Sequence, residues 1–430
     1  MEAIRTLTAA EKYGKEKGLL EKNFLLVVIG QIISLFGNAI LRFAIPLYIL
    51  DQSNSASLFA LVSAVSFIPM IIMSPIGGLI ADRVNKQRIM VVLDFITAAL
   101  VTGFVLLNGR VAMVPLVVVM MMALYGIQGA YTPAVQASIP VLVKADKIVP
   151  ANAVINLVNS FSSLIGPIIG GMLYGIYGIT PIVAVSCICF LFSAVMEMFI
   201  RIPHEKKAAE GNVLAIAKDD MKESINFIVR EKPILFKAVF MVFLFNMVLT
   251  SLVVIGVPVI ITQTLKMDSN LYGISQGAMA VGGIIGGLLA GILGKKLDIR
   301  KSYLILCACA LCLVPMAVSL YAGAAPFVSY IIITVGCFLA MICATLFSVQ
   351  MLSFIQMQTP VHMVGKIISC LIATSMCAQP VGQTIYGILF EHVIAVQWMI
   401  VLGAALMSCM IGLFSKTAFS RLDNHADVNI

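Results

Sequence analysis

The chain has 430 residues, of which 61% are hydrophobic and 11% are charged, with a mean hydropathy of +1.05. A soluble domain carries about 25% charged residues, so this composition excludes a soluble protein and predicts one that crosses a membrane several times. The net charge of +8 is spread over successive loops rather than gathered on one face. We therefore expect a lipid bilayer and small molecules as partners, and no nucleic acid.

Twelve apolar runs follow one another along the chain, each long enough to cross a bilayer, which takes about 20 residues. They predict an all-α polytopic membrane protein with twelve transmembrane helices. The runs cover 24–50, 56–81, 89–108, 112–139, 152–176, 180–200, 234–262, 271–294, 302–322, 326–350, 365–390 and 395–415. With a cytoplasmic amino terminus, all but three of the 28 Lys and Arg residues fall in cytoplasmic segments, so we expect both termini there.

A charged stretch divides the twelve runs into two halves of six. We expect a cytoplasmic N-terminal segment, a first half, a cytoplasmic linker, a second half and a cytoplasmic tail, at residues 1–23, 24–200, 201–233, 234–415 and 416–430. Apolar residues from Val213 to Ile228 recur roughly at helical spacing, which predicts an amphipathic helix in the linker. Gly77–Ala81 and Gly286–Ala290 are nearly identical in sequence, which indicates that the halves are weak repeats.

The segment 1–23 is charged and the first apolar run is too long for a leader peptide, so we expect no cleaved signal. All ten cysteines lie within predicted spans. Cys309 and Cys312 have a spacing seen in metal sites, but buried apolar packing is the better interpretation. We therefore expect neither a metal nor a cofactor.

The turn after the second run, residues 77–88, combines glycine, aspartate and basic side chains. Its glycines allow close helix packing, and Asn85 can enter a left-handed turn conformation at little cost. The stretch resembles the signature of the major facilitator superfamily between helices 2 and 3, Gly-x-x-x-Asp-Arg-x-Gly-Arg-Arg/Lys. Asn85 and Gln87 stand where that signature has glycine and a base. We expect a conformational latch made of Gly78, Asp82, Arg83, Lys86, Arg88 and Asp94, bonded in part to the N-terminus of helix 11.

Predicted helix 5 contains a proline flanked by glycines, which bends a helix and opens a groove for a neighbouring helix. The segment resembles the antiporter motif of the superfamily, Gly-x-x-x-Gly-Pro-x-x-Gly-Gly, with Ser162 in the first position. Gly166, Pro167, Gly170 and Gly171 match it. The resemblance implies an exporter; a bent packing helix without bearing on direction is the alternative.

Polar residues form stripes along two predicted helices. In helix 1 they are Gln31, Ser34, Asn38 and Arg42, and in helix 4 Tyr125, Gln128, Thr132 and Gln136. Spacings of three and four place each set on one helix face, which lipid would penalise. Tyr125 and Gln128 also resemble the Arg-x-x-Gln-Gly motif of proton-coupled drug exporters, with tyrosine replacing arginine. Arg42 is the candidate for the missing cation.

In the superfamily, helices 1, 4, 7 and 10 line a central cavity. The resemblance therefore implies a substrate cavity that includes Gln31, Asn38, Arg42, Tyr125, Gln128, Thr132, Asn246, Thr250, Thr345 and Ser348. Hydrogen bonding between helices without substrate contact is the alternative for each of them. The coupling ion is expected to be a proton, and proton antiport needs a buried acid. No carboxylate falls at the middle of a cavity helix, so the candidates are Asp51 facing Arg42, and Asp94.

Over nearly its whole length the chain resembles the branch of the superfamily that contains bacterial macrolide and siderophore exporters. This implies a monomer in the bacterial inner membrane that exports hydrophobic or amphiphilic compounds by alternating access. Export of a siderophore or another metabolite, nutrient uptake, and a receptor or scaffold that transports nothing are the alternatives. Gly273–Gly277 matches the Gly-x-Ser-x-Gly pattern of a catalytic serine. That pattern requires a preceding strand and a histidine, and this copy opens a predicted transmembrane helix, so an enzyme is disfavoured.

Overall fold

The computed structural model describes residues 22–144, 147–202, 226–293, 299–360, 363–393 and 396–419, which are helical apart from short connections. The long helices are α1 Lys22–Ser53, α2 Ala56–Arg83, α3 Lys86–Leu107, α4 Met113–Leu142, α5 Ile148–Tyr177, α6 Ile179–Met198, α7 Pro233–Thr264, α8 Ser269–Leu293, α9 Ser302–Tyr321, α10 Pro326–Met357, α11 Val364–His392 and α12 Gln397–Phe419. This confirms the predicted all-α fold with twelve helices. The N-terminal 21 residues, residues 213–225 of the predicted linker helix and the tail beyond Phe419 lie outside the described residues.

The helices have the length and surface of membrane spans. Eleven of those described are apolar enough to cross a bilayer, and α11 has 29 residues, which exceeds the length that the hydrocarbon core requires. Large apolar side chains point away from the protein interior, as Leu106, Ile188 and Leu311 do with 58, 65 and 69% of their surface exposed. Such a surface suits the hydrocarbon core of a bilayer, which offers no hydrogen-bond partners to polar groups.

The chain packs as two compact units. The first holds residues 1–45 and 66–209, and the second holds residues 46–65 and 210–430. The hairpin 46–65 thus groups with the second unit and not with the predicted first half. Two contacts with α11 hold it there: Gly387 lets Ala60 approach closely, and Glu391 accepts hydrogen bonds from Ser55 and Ser57.

In the first unit, α3 packs against α6 and α4, and glycines bring α2 onto α4. A Cβ on Gly77 would lie 2.5 Å from the Ala130 Cα, and one on Gly129 would lie 2.8 Å from the Met70 carbonyl oxygen. Both distances are too short for a real side chain. Glycine at these positions therefore permits the close approach of the two backbones.

In the second unit, α10 packs against α8 and α9, and α9 against α12. A Cβ added to Gly286 of α8 would lie 2.7 Å from the Ile342 carbonyl oxygen of α10. One added to Gly282 would lie 2.5 Å from the Phe338 carbonyl oxygen. Gly286 is the residue that the sequence repeat aligns with Gly77. Each unit therefore uses this glycine to join its second helix to its fourth, which gives the short sequence match a structural meaning.

Helix α7 changes its winding part of the way along. It is α-helical over Pro233–Phe245 and continues in π-helical turns at Asn246–Thr250, Leu252–Gly256 and Val259–Thr264. A π turn accommodates an extra residue and often occurs at functional positions. The two predicted cavity residues of this helix lie in the first of these turns.

Candidate functional site

Three side-chain contacts join α1 to α4 within the first unit, and we call them the α1–α4 ladder. Gln31 Nε2 donates to the Tyr131 hydroxyl at 2.6 Å, Asn38 Nδ2 donates to Gln128 Oε1 at 3.1 Å, and the Arg42 guanidinium carbon lies 3.7 Å from the centre of the Tyr125 ring. Residue numbers rise along α1 as they fall along α4, so the two helices run antiparallel. The two predicted polar stripes therefore face each other.

The ladder is ordered by further contacts on α4. Gln128 Nε2 donates to the Thr132 hydroxyl at 2.9 Å while its oxygen accepts from Asn38, so both ends of the amide are used. The Tyr125 ring also meets Phe67 edge to face, with centroids 5.0 Å apart. Asn38, Arg42 and Gln128 are half-buried, so their polar groups remain partly accessible.

The Arg42 guanidinium lies over the face of Tyr125, the residue that stands in place of the motif's arginine. A guanidinium over a tyrosine face gains about 0.5–2 kcal/mol, depending on how dry the site is. Tyrosine at position 125 thus holds in place the positive charge that arginine would carry itself. That Arg42 supplies the missing cation stays a prediction.

Two carboxylic acids lie beside the end of the ladder nearest Gln31. Asp94 on α3 and Glu197 on α6 are 2% and 0% exposed. Ser34 donates to Asp94 Oδ1 at 3.1 Å, and Tyr131 donates to Glu197 Oε1 at 2.6 Å. The two carboxyl groups interact electrostatically. We call them the acid pair.

Glu197 and Tyr131 were not among the predicted site residues, and the predicted stripe of α4 included Thr132, the neighbour of Tyr131. A signal was available on α6, where Ser186, Ser193 and Glu197 share one face at spacings of seven and four. Ser186 and Ser193 donate to the carbonyl oxygens of Gly37 and Gly30 on α1, each at 3.1 Å. This face of α6 therefore packs on α1 and carries Glu197 to the ladder.

The antiporter motif of α5 also packs on α1. A Cβ on Gly166 would clash with Ala39, and one on Gly170 would lie 3.2 Å from Phe43 Cδ1. Ala39 and Phe43 directly follow Asn38 and Arg42 on α1, so α5 packs on the side of α1 next to the ladder. The expected groove for a neighbouring helix is present, while the motif's link to transport direction stays a prediction.

In the charged turn, the two residues that depart from the family signature have structural contacts. Asn85 has φ −58° and caps α3, since its side chain accepts from the Gln87 amide at 3.0 Å. The expected left-handed conformation is therefore wrong, because capping needs extended backbone here. Gln87 Nε2 donates to the carbonyl oxygens of Glu197 and Met198, at 3.1 and 2.8 Å, and so ties the start of α3 to the end of α6.

The latch itself stays a prediction. The side chains of Asp82 and Arg83 lie outside the described residues, Lys86 is half-buried and Arg88 is exposed. Asp94 belongs with the acid pair, because α3 carries it eight residues, or about 12 Å, beyond the start of the helix at Lys86.

The predicted pairing of Arg42 with Asp51 is disfavoured. Helix α1 is continuous from Lys22 to Ser53. The nine residues from Arg42 to Asp51 span two and a half turns, which places the two side chains on opposite faces and about 13.5 Å apart along the axis. Asp51 is exposed, whereas Arg42 lies on Tyr125.

The predicted cavity residues of the second unit are bonded mainly within their own helices. Thr250 donates to Asn246 Oδ1 at 3.3 Å, and Thr345 donates to the Met341 carbonyl oxygen at 2.9 Å. Thr345 also packs against Gly286 of α8. Ser348 is exposed. Their contact with a substrate stays a prediction.

A polytopic helical protein of two units, with a polar ladder inside one of them, has the architecture of a membrane transporter. The sequence matches the model of the Major Facilitator Superfamily over residues 27–382, and the chain belongs to this family. It is therefore a membrane transporter and not an enzyme.

Two relatives match along most of their length. Macrolide efflux protein A of Streptococcus pyogenes is 24% identical over 405 residues, which cover 93% of this chain and 96% of the relative. An uncharacterized MFS-type transporter of Bacillus subtilis is 25% identical over 408 residues, covering 92% and 93%. These identities are compatible with different substrates.

Solved structures share the fold. A nucleoside transporter superposes with a TM-score of 0.72 at 11% identity, covering 93% of this chain and 99% of that one. A bacterial homologue of the iron transporter ferroportin, in an inward-facing state, gives 0.70 at 16% identity, covering 92% and 99%. The fold is thus common to transporters of unrelated cargo, so the substrate must be argued from the site.

Proposed function

We propose that this protein is a secondary active exporter of hydrophobic or amphiphilic small molecules, macrolide-like compounds above all, driven by proton influx. It works by alternating access in the bacterial inner membrane, with both termini in the cytoplasm. The observation that carries the substrate class is the likeness to macrolide efflux protein A, which spans 96% of that relative.

The ladder supports an amphiphilic cargo. Asn38 and Gln128 present half-buried amides, and Tyr125 and Phe67 present aromatic surface beside them. Amide N–H groups recognise the hydroxyl and ester oxygens of a macrolide, while rings cover its apolar face. The site thus offers few polar groups within an apolar wall, which is typical of small-molecule pockets.

The antiporter motif supports outward transport. Its glycines allow α5 to pack closely on α1, beside the ladder. Because α1 must move when the ladder opens, this packing affects the conformational change. Proton coupling is supported by buried carboxyl groups in the same unit. These acids are the sort of intramembrane ionisable residues that transporters use for ion coupling.

Export can be tested in cells that lack their own macrolide exporters. We expect the chain to lower the accumulation of radiolabelled erythromycin, and a protonophore to abolish the difference. Gln128→Leu should weaken export, because it removes the amide that is hydrogen-bonded to both Asn38 and Thr132. Gln136→Leu is the matched control, since Gln136 is an exposed glutamine two turns further along α4.

Retention of the macrolide by all cells would contradict the substrate assignment. In that case, secretion of an iron-binding metabolite by the same cells would favour the siderophore alternative. Equal export by Gln128→Leu and the wild type would remove the ladder from the substrate site while leaving the exporter in place.

A further inference from the structure

We propose that the acid pair, Asp94 and Glu197, is the site at which the coupling proton binds. The inference rests on the proposed proton-driven export and names the residues that carry it. Binding converts a carboxylate into a carboxylic acid, and release restores it. The ligand is therefore the proton alone.

The pair is enclosed by four helices, and the polar groups that face it are known for each. Helix α1 contributes Gln31 and Ser34, α4 contributes Tyr131, and α6 contributes Ser193 beside Glu197. Among the described residues, no Lys, Arg or His acts on either carboxyl group. The nearest bases in sequence, Arg88 and Arg201, are exposed. The pair thus lacks a compensating positive charge in this part of the chain.

Two adjacent carboxylates cannot both stay ionised in such a place. An ionised carboxylate out of water costs many kcal/mol unless it is paired, and a second one beside it adds repulsion. The pair must therefore hold a proton through much of its cycle, and it exchanges protons as one coupled unit.

The hydrogen bonds also show where a proton fits. Each carboxyl group uses one oxygen as an acceptor, Asp94 Oδ1 from Ser34 and Glu197 Oε1 from Tyr131. The other two oxygens, Asp94 Oδ2 and Glu197 Oε2, are buried and have no hydrogen-bond partner among the described residues. Leaving a buried acceptor unpaired is unfavourable. An O–H group on that oxygen removes the negative charge and leaves the existing bonds in place.

The site is connected to the ladder through shared helices. Ser34 lies one turn from Asn38 on α1, and Tyr131 lies three residues from Gln128 on α4. Admitting a substrate between α1 and α4 moves α1 away from α4, which breaks the bond from Gln31 to Tyr131 and draws Ser34 away from Asp94 on α3. Loss of the Ser34 donor changes the proton affinity of the pair. Substrate and proton thereby oppose each other, as antiport requires.

The space for Glu197 depends on a glycine of α1. A Cβ on Gly30 would lie 3.3 Å from Glu197 Cγ and 3.5 Å from Glu197 Oε1. These contacts are tight, so Gly30 leaves room for a carboxyl group in close contact with the helix. This residue offers a way to disturb the pair without removing an acid.

The site is tested first without any substrate, by infrared difference spectroscopy of the purified full-length protein between alkaline and acidic buffer. We expect a carbonyl-stretch band of protonated carboxylic acid that weakens in both Asp94→Asn and Glu197→Gln. Asp268→Asn is the control, because Asp268 is exposed before the start of α8 and asparagine caps a helix equally well. A band unchanged in both variants would overturn the proposal.

The role in transport is tested in proteoliposomes. Asp94→Asn and Glu197→Gln should lose macrolide accumulation driven by a proton gradient, while macrolide exchange across the membrane continues. Persistence of gradient-driven accumulation in both variants would overturn the coupling role. Should either variant fail to fold, Asp94→Glu and Glu197→Asp keep the acid and should shift the infrared band rather than remove it; an unshifted band would count against the site.

The two proposals fail in different ways. If the wild type accumulates no macrolide yet the infrared band depends on the pair, the exporter assignment is wrong and the proton site stands. If accumulation follows the gradient but the band ignores both acids, the exporter assignment stands and the coupling acid lies elsewhere, with Asp51 next to be tested.

Discussion

The Tyr131 hydroxyl donates a 2.6 Å hydrogen bond to Glu197 Oε1 and accepts one of 2.6 Å from Gln31. This places a single phenol between a buried acid on α6 and the polar face of α1. Tyrosine is suited to this position because its hydroxyl donates and accepts at once while its ring packs among apolar neighbours. The acid pair and the ladder are joined through this residue.

Replacing Tyr131 with phenylalanine should loosen that connection. Glu197 loses a donor and Gln31 loses an acceptor, so we expect a loss of about 1–3 kcal/mol in stability, measured by thermal unfolding in detergent. The carbonyl band of protonated Glu197 should move to higher frequency, because its oxygen no longer accepts a hydrogen bond. Tyr272→Phe on α8 is a matched control in the second unit, and a band that stays in place in Tyr131→Phe would contradict the contact.

Adding a methyl group at Gly30 should disturb Glu197 while leaving every acid in the chain. Gly30→Ala brings a carbon to 3.3 Å from Glu197 Cγ, so the side chain must shift. We expect gradient-driven macrolide accumulation to fall several-fold with macrolide binding retained. Gly291→Ala, which meets open space on α8, should transport normally. Equal accumulation by Gly30→Ala and the wild type would indicate that the pair tolerates displacement.

Leucine at Gly170 should overpack the interface between α5 and α1. The new side chain must enter space held by Phe43 and Ile40, and overpacking costs about 1–3 kcal/mol. We expect lower transport and a lower unfolding temperature. Gly287→Leu is the control, because an added Cβ there meets nothing within 4 Å. Transport at the wild-type rate by Gly170→Leu would show that close packing here is dispensable.

Glu391 should stabilise the start of α2 within the second unit. Its Oε2 accepts from the hydroxyls of Ser55 and Ser57, each at 2.6 Å, and from the Ser57 amide at 2.7 Å. The carboxylate therefore acts as a cap supplied by another helix, favoured by the positive end of the α2 dipole.

We expect Glu391→Ala to reduce stability by about 1 kcal/mol, measured by thermal unfolding, and Glu391→Gln to lose less, since an amide oxygen still accepts hydrogen bonds. Glu231→Ala removes an exposed glutamate elsewhere in the second unit and serves as the control. Identical unfolding of Glu391→Ala and the wild type would mean that water replaces the carboxylate without cost.

Removing the cap of α3 should weaken the charged turn. Asn85→Ala leaves the Gln87 amide without its acceptor and should cost about 1 kcal/mol, whereas Asn85→Asp should be close to neutral. Thermal unfolding of the two variants measures the difference. Equal unfolding temperatures would indicate that the capping bond contributes nothing measurable.

Much of the fold could be predicted from the sequence, because apolar runs, basic loops and turn residues each follow from the requirements of a bilayer. The twelve helices, the polar stripes of α1 and α4 and the packing groove of α5 were predicted. Periodicity locates a helix face, but it does not say what a polar face meets, so the contact of Arg42 with Tyr125 is visible only in the structure.

Asp94 was among the predicted candidates for proton coupling, but its pairing with Glu197 could not be predicted in the same way. Asp94 and Glu197 lie on α3 and α6, which are not among the helices that the resemblance places around the cavity. Glu197 is also one residue from the end of α6, where an acid normally faces water. Which way Glu197 points depends on how α6 packs on α1, and Gly30 and Gly37 permit that close packing. Sequence spacing alone does not report it. The grouping of the hairpin 46–65 with the second unit likewise depends on long-range contacts of Glu391 and Gly387.

The most direct test of the account is the uptake of a radiolabelled macrolide into everted membrane vesicles containing the protein, energised by an imposed proton gradient. We predict accumulation that collapses when a protonophore is added, and none in vesicles carrying Glu197→Gln. Accumulation that survives the protonophore, or the absence of accumulation in the wild type, would contradict proton-driven macrolide export.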